Sequence, residues 1–345
     1  MVLLLEGESR GETEVPAGQS GLPAPVLTYL RLRRGEAAPQ EILDTDPLFA
    51  EAQARLGEQR LDNHEPVAGL LALQEALSLV EGYTRVLARL GSYELYSAGA
   101  YAKAAEHFGR VLDKHPRHLE SLLGLGVSLH YQAHYPRSNQ VLNRLIKAVD
   151  QAGDETQARQ KHFRGEAFYY LAFNAYQARQ EKAAWSYVQQ AEEQLGGTVK
   201  ALYLGGLVAY HTSRPDEARR RFNAISRRNP PCPTYYFLGK LEKERDDIER
   251  FLSMFALTPF CFGVEIDRLE RSVDSASALP REDPRRSLRL SRAKSELSEY
   301  CEQARGYASR MLDTLSICSK CDDQRRQAIE STITTLMSSE GRKDE

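Results

Sequence analysis

The chain repeats itself about every 34 residues, and that period limits the folds open to it more than any other feature. A small residue followed four positions later by a bulky one occurs at Gly69/Leu73, Ala104/Phe108, Ser138/Leu142, Ala184/Val188 and Ala218/Phe222. Successive pairs lie 35, 34, 46 and 34 residues apart. The long step exceeds the period by twelve, and the polar stretch 153–164 (GDETQARQKHFR) accounts for it as an inserted loop or helix extension. Twelve residues ahead of each small position stands a further small residue: Gly57, Ser92, Gly126, Ala172 and Gly206. Pro116 and Pro230 follow Ala104 and Ala218 at the same distance, where a fixed φ and a missing N–H stop a helix. Small residues at a helix crossing, a bulky residue beside them and a proline stop describe one helical hairpin used repeatedly.

Segment 199–232 carries Leu202, Gly206, Ala209, Ala218, Phe222 and Pro230, and segment 85–118 carries Ala88, Ser92, Leu95, Gly99, Tyr101, Ala104, Phe108 and Pro116. In these places the chain resembles the tetratricopeptide repeat, whose pattern is W-x2-L-G-x2-Y…A-x3-F…P. Segments 119–152 and 165–198 follow the same register. Segment 50–83, with Arg60 at an apolar position, and segment 232–263, with Phe251 at the small one, are degenerate. The resemblance covers about 215 of the 345 residues. It implies an all-α fold, an α-solenoid of about six helix-turn-helix repeats over 50–265, with a C-terminal helical extension.

Outside the array, residues 1–24 are rich in glycine-flanked polar turns and read as disordered, and 25–49 as short N-terminal helices. Residues 266–284 read as a linker, Ser-, Pro- and charge-rich from 273 onward. Over 285–338, Leu290, Ala293, Leu297, Tyr300, Ala304, Tyr307 and Met311 alternate in steps of three and four, an apolar stripe on amphipathic helices. This extension caps the last repeat, projects as an arm, or lies in the chain's own groove. The tail 339–345 reads as disordered.

Within each repeat, apolar positions 4, 7, 8 and 11 pack on the second helix, and positions 5, 9, 12 and 13 share another face. The resemblance implies that this second face is the concave, ligand-binding one. It holds Tyr93 and Tyr96, then His130 and Tyr131, then Tyr169, Phe173 and Tyr176 with Tyr170 alongside, then Tyr203, Tyr210 and His211, and Tyr236. Tyrosine buries a large area at low entropic cost and keeps one polar handle, which suits capture of a partner's peptide or helix. The family's carboxylate clamp needs Lys and Asn where Arg89 and Tyr93 stand, so a receptor for C-terminal carboxylates is not expected.

Signals for chemistry are sparse. Cys318-Ser-Lys-Cys321 is a lone CxxC without the further ligands of a zinc site, and His130/His134 lacks the glutamate of a helical zinc pair. No P-loop or nucleophile elbow is visible, so neither enzymatic activity nor a metal or cofactor is expected. Arg214, Arg219, Arg220, Arg221, Arg227 and Arg228, with Arg285, Arg286, Arg289 and Arg292, leave open a nucleic-acid-associated subunit, although a net charge of −2 argues against one. Self-association through 285–338 is a third possibility. The apolar run Val2–Leu5 meets Glu6 at once, and no stretch approaches the ~20 apolar residues of a membrane span. Five scattered cysteines lack the spacing of a disulfide framework, which points to a reducing, cytoplasmic setting.

Overall fold

The computed structural model describes residues 24–152, 156–280 and 284–338. Among them are sixteen α-helices and no strand, in two compact units, Met1–Tyr83 and Thr84–Glu345. The segments expected to be disordered, 1–24 and 339–345, lie outside the described residues except for Ala24, which begins a helix.

The first unit contains α1 (Ala24–Arg33), α2 (Pro39–Thr45), α3 (Ala50–Asp62) and α4 (Pro66–Leu79). The segment read as the first, degenerate repeat, 50–83, is the helical hairpin α3/α4. Leu32, Ile42, Leu43 and Ala52 form a local core with Phe49 and Leu56, so this hairpin buries its apolar face against α1 and α2. Glycine sits on both sides of its crossing. A Cβ on Gly57 would lie 2.7 Å from Leu73 Cγ, and one on Gly69 2.8 Å from Leu61 Cγ.

The second unit runs through five hairpins. They are α5 (Thr84–Tyr93, continued by a π-helical turn Glu94–Ala98) with α6 (Tyr101–Lys114), α7 (Leu119–Tyr131) with α8 (Tyr135–Gln151), and α9 (Gln157–Gln177) with α10 (Glu181–Leu195). Then come α11 (Val199–His211) with α12 (Pro215–Ile225) and α13 (Pro233–Glu244) with α14 (Ile248–Ser277). Much of the twelve-residue insertion is helix extension, since α9 begins at Gln157.

A contact between residues sixteen apart fixes each crossing where it is tightest. Cβ atoms on Gly126, Gly206 and Gly239 would stand 2.6, 2.5 and 2.5 Å from side-chain carbons of Leu142, Phe222 and Phe255. The first two pairs follow from the period. The third lies in the repeat read as degenerate, where Phe251 and Phe255 are both fully buried and the Gly239/Phe255 spacing still closes the hairpin.

The turns between paired helices share a second device. His64, Ala133, Arg179, Ser213 and Asp246 adopt φ of 61, 57, 57, 56 and 65°, each two residues past the first helix. The following N–H reaches back five residues, as in His134 N to Leu129 O (2.9 Å) and Gln180 N to Ala175 O (2.8 Å). This is the Schellman arrangement, which normally places glycine at the left-handed residue. Proline in the first turn of α4, α8 and α12 then restarts the helix.

Beyond 265 the structure differs from the linker reading. The helix α14 continues to Ser277 because Ile266, Leu269 and Ala276 extend its buried stripe, and this apolar spacing overrides the serine- and charge-rich composition. The remaining helices, α15 (Pro284–Ser316) and α16 (Asp323–Ser338), fold back, and Ala304, Tyr307, Met311, Leu315, Ile329 and Ile333 join one core with Phe251, Phe255 and Phe262. Thr314, an interruption of the apolar stripe, is buried with its hydroxyl donating to Arg310 O at 2.7 Å.

The cysteine reading is also corrected. Cys232 is bonded to Cys261, joining the start of α13 to the middle of α14, and Cys318 is bonded to Cys321 in the turn before α16. Pairing follows the fold of hairpin and extension, which linear spacing does not reveal. Disulfides persist in oxidising compartments, so the cysteine count no longer supports a reducing one.

Two substitutions separate the devices. Gly206→Ala drives a methyl into Phe222 and should lower stability by roughly 1–3 kcal/mol. Ala133→Gly relieves a left-handed alanine at an exposed turn and should raise stability by about 1 kcal/mol. Urea unfolding of both variants checks the opposite signs.

Candidate functional site

The first helices of the hairpins in the second unit place their aromatic positions along one face, and a chain of ring contacts follows it. Tyr101 stacks on Tyr131 with centroids 4.7 Å apart, and Tyr131 meets His130 edge-on at 5.1 Å. His130 touches Tyr170 (5.2 Å) and Phe173 (4.9 Å), and Tyr170 touches Tyr169 (5.1 Å). The path continues through Tyr176, His211, Tyr210 and Phe237 to Tyr236 and Tyr307. The helical period aligns these positions on each helix, and the stacking of neighbouring hairpins joins them.

Exposure divides the path. Tyr131 on the path and Tyr96 beside it are 52 % and 61 % exposed, whereas His130 and Tyr236 are 8 % and 7 % exposed. Those two are corrected as direct ligand contacts. The imidazole of His130 is enclosed, its Nδ1 2.6 Å from Asn174 Oδ1. Asn174 Nδ2 donates to Ser138 Oγ (3.0 Å) and Asn139 Oδ1 (2.7 Å), and Ser138 donates to Gly126 O (2.8 Å). This buried network ties α7, α8 and α9 together. Tyr236 lies beneath α15, stacked on Phe255 and edge-on to Tyr307.

The extension covers part of the face. Tyr203 lies close enough to Tyr307 of α15 for the two phenols to influence each other's ionisation. Fifteen residues earlier on α15, or about 22 Å of helix, Arg292 donates to Ser97 O at the π-helical turn, beside Tyr93. Thus α15 touches the face at both ends. Tyr93, Tyr169, Tyr170, Phe173, Tyr176, Tyr203 and Tyr210 are half-buried and His211 is exposed. Substituting Phe173, Tyr203 and Tyr210 would disturb packing together with any ligand contact. The period placed Tyr101 in the repeat pattern but not on the face, and it flagged neither Asn174 nor the buried Glu166 that pairs with Lys200. Tyr307 was visible only as a member of the apolar stripe.

Burial keeps these phenols protonated. Tyr169 is pushed up to about 12 by burial, with Tyr131 and Glu166 adding to it. Tyr210 is also pushed up to about 12, by burial and then by Glu244 and Tyr236. Tyr170 and Tyr203 are raised further by the same cause. His130 is pushed down by burial, against the opposing effect of its Asn174 hydrogen bond, so the enclosed ring is held neutral. The face therefore offers hydroxyls and ring edges with little net charge.

The arginine patch is engaged internally. Arg221 bonds Glu192 (2.6 Å) and Glu217, Arg220 bonds Glu217 (2.6 Å), and Arg219 bonds Asp216 (2.7 Å). Arg214 lies over Trp185 at 4.4 Å, and Arg228 donates to Gly197 O at 3.1 Å. These carboxylates pair three of the six arginines in the row on which contact with phosphates would rest. Among the described residues, no helix is long and apolar enough to cross a membrane, and no group of three or more His, Cys, Asp or Glu side chains could hold a metal.

No family model and no curated protein sequence matches the chain. Among solved structures, PilF of Pseudomonas aeruginosa is 16 % identical with a TM-score of 0.50, over 72 % of this chain and 97 % of that one. A tetratricopeptide repeat protein from Parabacteroides merdae is 12 % identical with a TM-score of 0.47, over 78 % and 96 %. YrrB, described as a TPR protein with an unusual peptide-binding site, is 18 % identical with a TM-score of 0.42, over 55 % and 92 %.

Two pH limits follow. Buried tyrosines with raised values contribute stability that is present below pH ~10 and lost as pH rises toward 12. His130, with a lowered value, contributes stability that is present above pH ~6.5 and lost as pH falls. Melting temperature against pH should therefore decline at both ends. At pH 8, Asn174→Ala should cost about 1–3 kcal/mol by leaving His130 and Ser138 without their partner.

Proposed function

We propose that this tetratricopeptide-repeat array is a non-catalytic scaffold that captures a peptide or helical segment of a partner protein and brings it into a larger assembly. The observation that carries this reading is the division of the ring path into a packed stretch and an exposed end. Tyr96 and Tyr131 present their rings to solvent, and Tyr101 braces Tyr131 from behind. Large amphipathic rings held in place by stacking lose little entropy on binding, which is how interface anchors gain affinity.

The segment that fits is apolar at its anchor positions and uncharged between them, because the face is nearly neutral. It enters at the Tyr96–Tyr131 end and extends along the first helices toward Tyr169 and Tyr170. Deeper rings hold the wall in shape. A setting within the cell is part of this reading only as far as the two disulfides permit, since both would be reduced in most cytosols.

Tyr96→Ala with Tyr131→Ala tests the proposal. Affinity purification from the native cell with the wild-type chain should recover a partner whose binding isotherm weakens at least tenfold in the double variant, about 1.4 kcal/mol or more. The helical circular dichroism and melting temperature should stay near wild type, as both rings are exposed. Unchanged affinity would remove the exposed end as the site. Binding that collapses on raising salt from about 50 to about 200 mM would instead favour the nucleic-acid alternative.

A further inference from the structure

Away from the aromatic face, α14 turns an uncharged strip to solvent. Leu257, Phe260 and Val264 are 40, 66 and 50 % exposed, and Ala256 and Ser253 beside them are exposed as well. The opposite side of the helix is occupied, for Phe251, Phe255, Phe262 and Ile266 are buried in the core shared with α13 and α15. The exposed positions 249, 253, 256, 260, 264, 267 and 271 are spaced by 4, 3, 4, 4, 3 and 4 residues. This 4-3-4 rhythm repeats every eleven residues, which keeps the positions on one side of the helix, and it reads the same from either end about Phe260.

The charges follow the same symmetry with opposite sign. Glu249 lies eleven residues before Phe260 and Arg271 eleven residues after it, and both are exposed. A second copy of α14 laid antiparallel across the first would set Phe260 on Phe260, Ala256 opposite Val264, Ser253 opposite Asp267, and Glu249 opposite Arg271. Each of the unlike pairs would occur twice. Such self-complementarity is what an isologous two-fold contact requires, and it selects a second copy of this chain over an unrelated helix.

We propose that the chain dimerises through α14, in an antiparallel pairing centred on Phe260. The contact spans residues 249–271, about 34 Å of helix. An interface built mainly on one helix per protomer belongs to the smaller class, so association is reversible and concentration-dependent. It differs from self-association through 285–338, since α15 and α16 fold back on their own chain. It is also independent of the aromatic face and stands whether or not that face binds a peptide.

Sedimentation equilibrium of the full chain from about 5 to about 200 µM should show a monomer–dimer equilibrium in the range typical of small reversible interfaces. Phe260→Glu should leave the monomer alone with unchanged circular dichroism. Glu249→Arg and Arg271→Glu should each weaken the dimer about tenfold, because each converts both symmetric ion pairs to like-charge contacts. The double variant Glu249→Arg/Arg271→Glu should return to within about threefold of wild type. Glu249 lines a cleft with Lys320 and Arg325, so Arg271→Glu supplies the single change free of that neighbourhood. Three results would overturn the proposal: a monomer throughout the range, a dimer indifferent to Phe260→Glu, or a double variant as weak as the singles.

Discussion

The second unit depends on how closely two helices approach within each hairpin. Where a Cβ would come within about 2.5 Å of a phenyl or isobutyl carbon, only glycine lets the bulky side chain seat itself against the opposing backbone. That seat fixes the crossing, the crossing fixes which side of the first helix remains outside the hairpin, and the remaining side becomes the aromatic face. The rings form a connected path because their helices are spaced by a repeated unit. The aromatic face is thus a downstream consequence of core packing between Gly206 and Phe222 and between their counterparts.

Architecture was legible because the crossing demands a small residue and a bulky one at a fixed separation, a constraint local enough to survive in a linear pattern. Gly239 and Phe255 obey it even where Phe251 disguises the repeat. The turns were illegible for a related reason. Their backbone needs a left-handed residue, and Ala133, Arg179 and Ser213 adopt that state without the glycine that would announce it. The Schellman hydrogen bonds hold them there, helped after Ala133 and Ser213 by the restarting prolines.

The candidate face was only partly legible. Helical periodicity assigns a residue to a side of its own helix, but it contains no information on what arrives from seventy residues away. Tyr307 covers Tyr236 and lies beside Tyr203, and Asn174 encloses His130 from the next repeat. The cysteine pairs and the continuation of α14 past 265 belong to the same category. Each is decided by a partner element that the local spacing does not record.

Stacked repeats melt from an end when an end lacks neighbours. In the second unit the two ends are unequal. The last hairpin is tied by the Cys232–Cys261 bridge and roofed by α15 and α16, while α5 begins the unit and is held on its outer side by Arg292 at Ser97. Within the second unit taken by itself, the bridge and the roof make the last hairpin the hardest to peel away, so mechanical extension of this unit reaches it last.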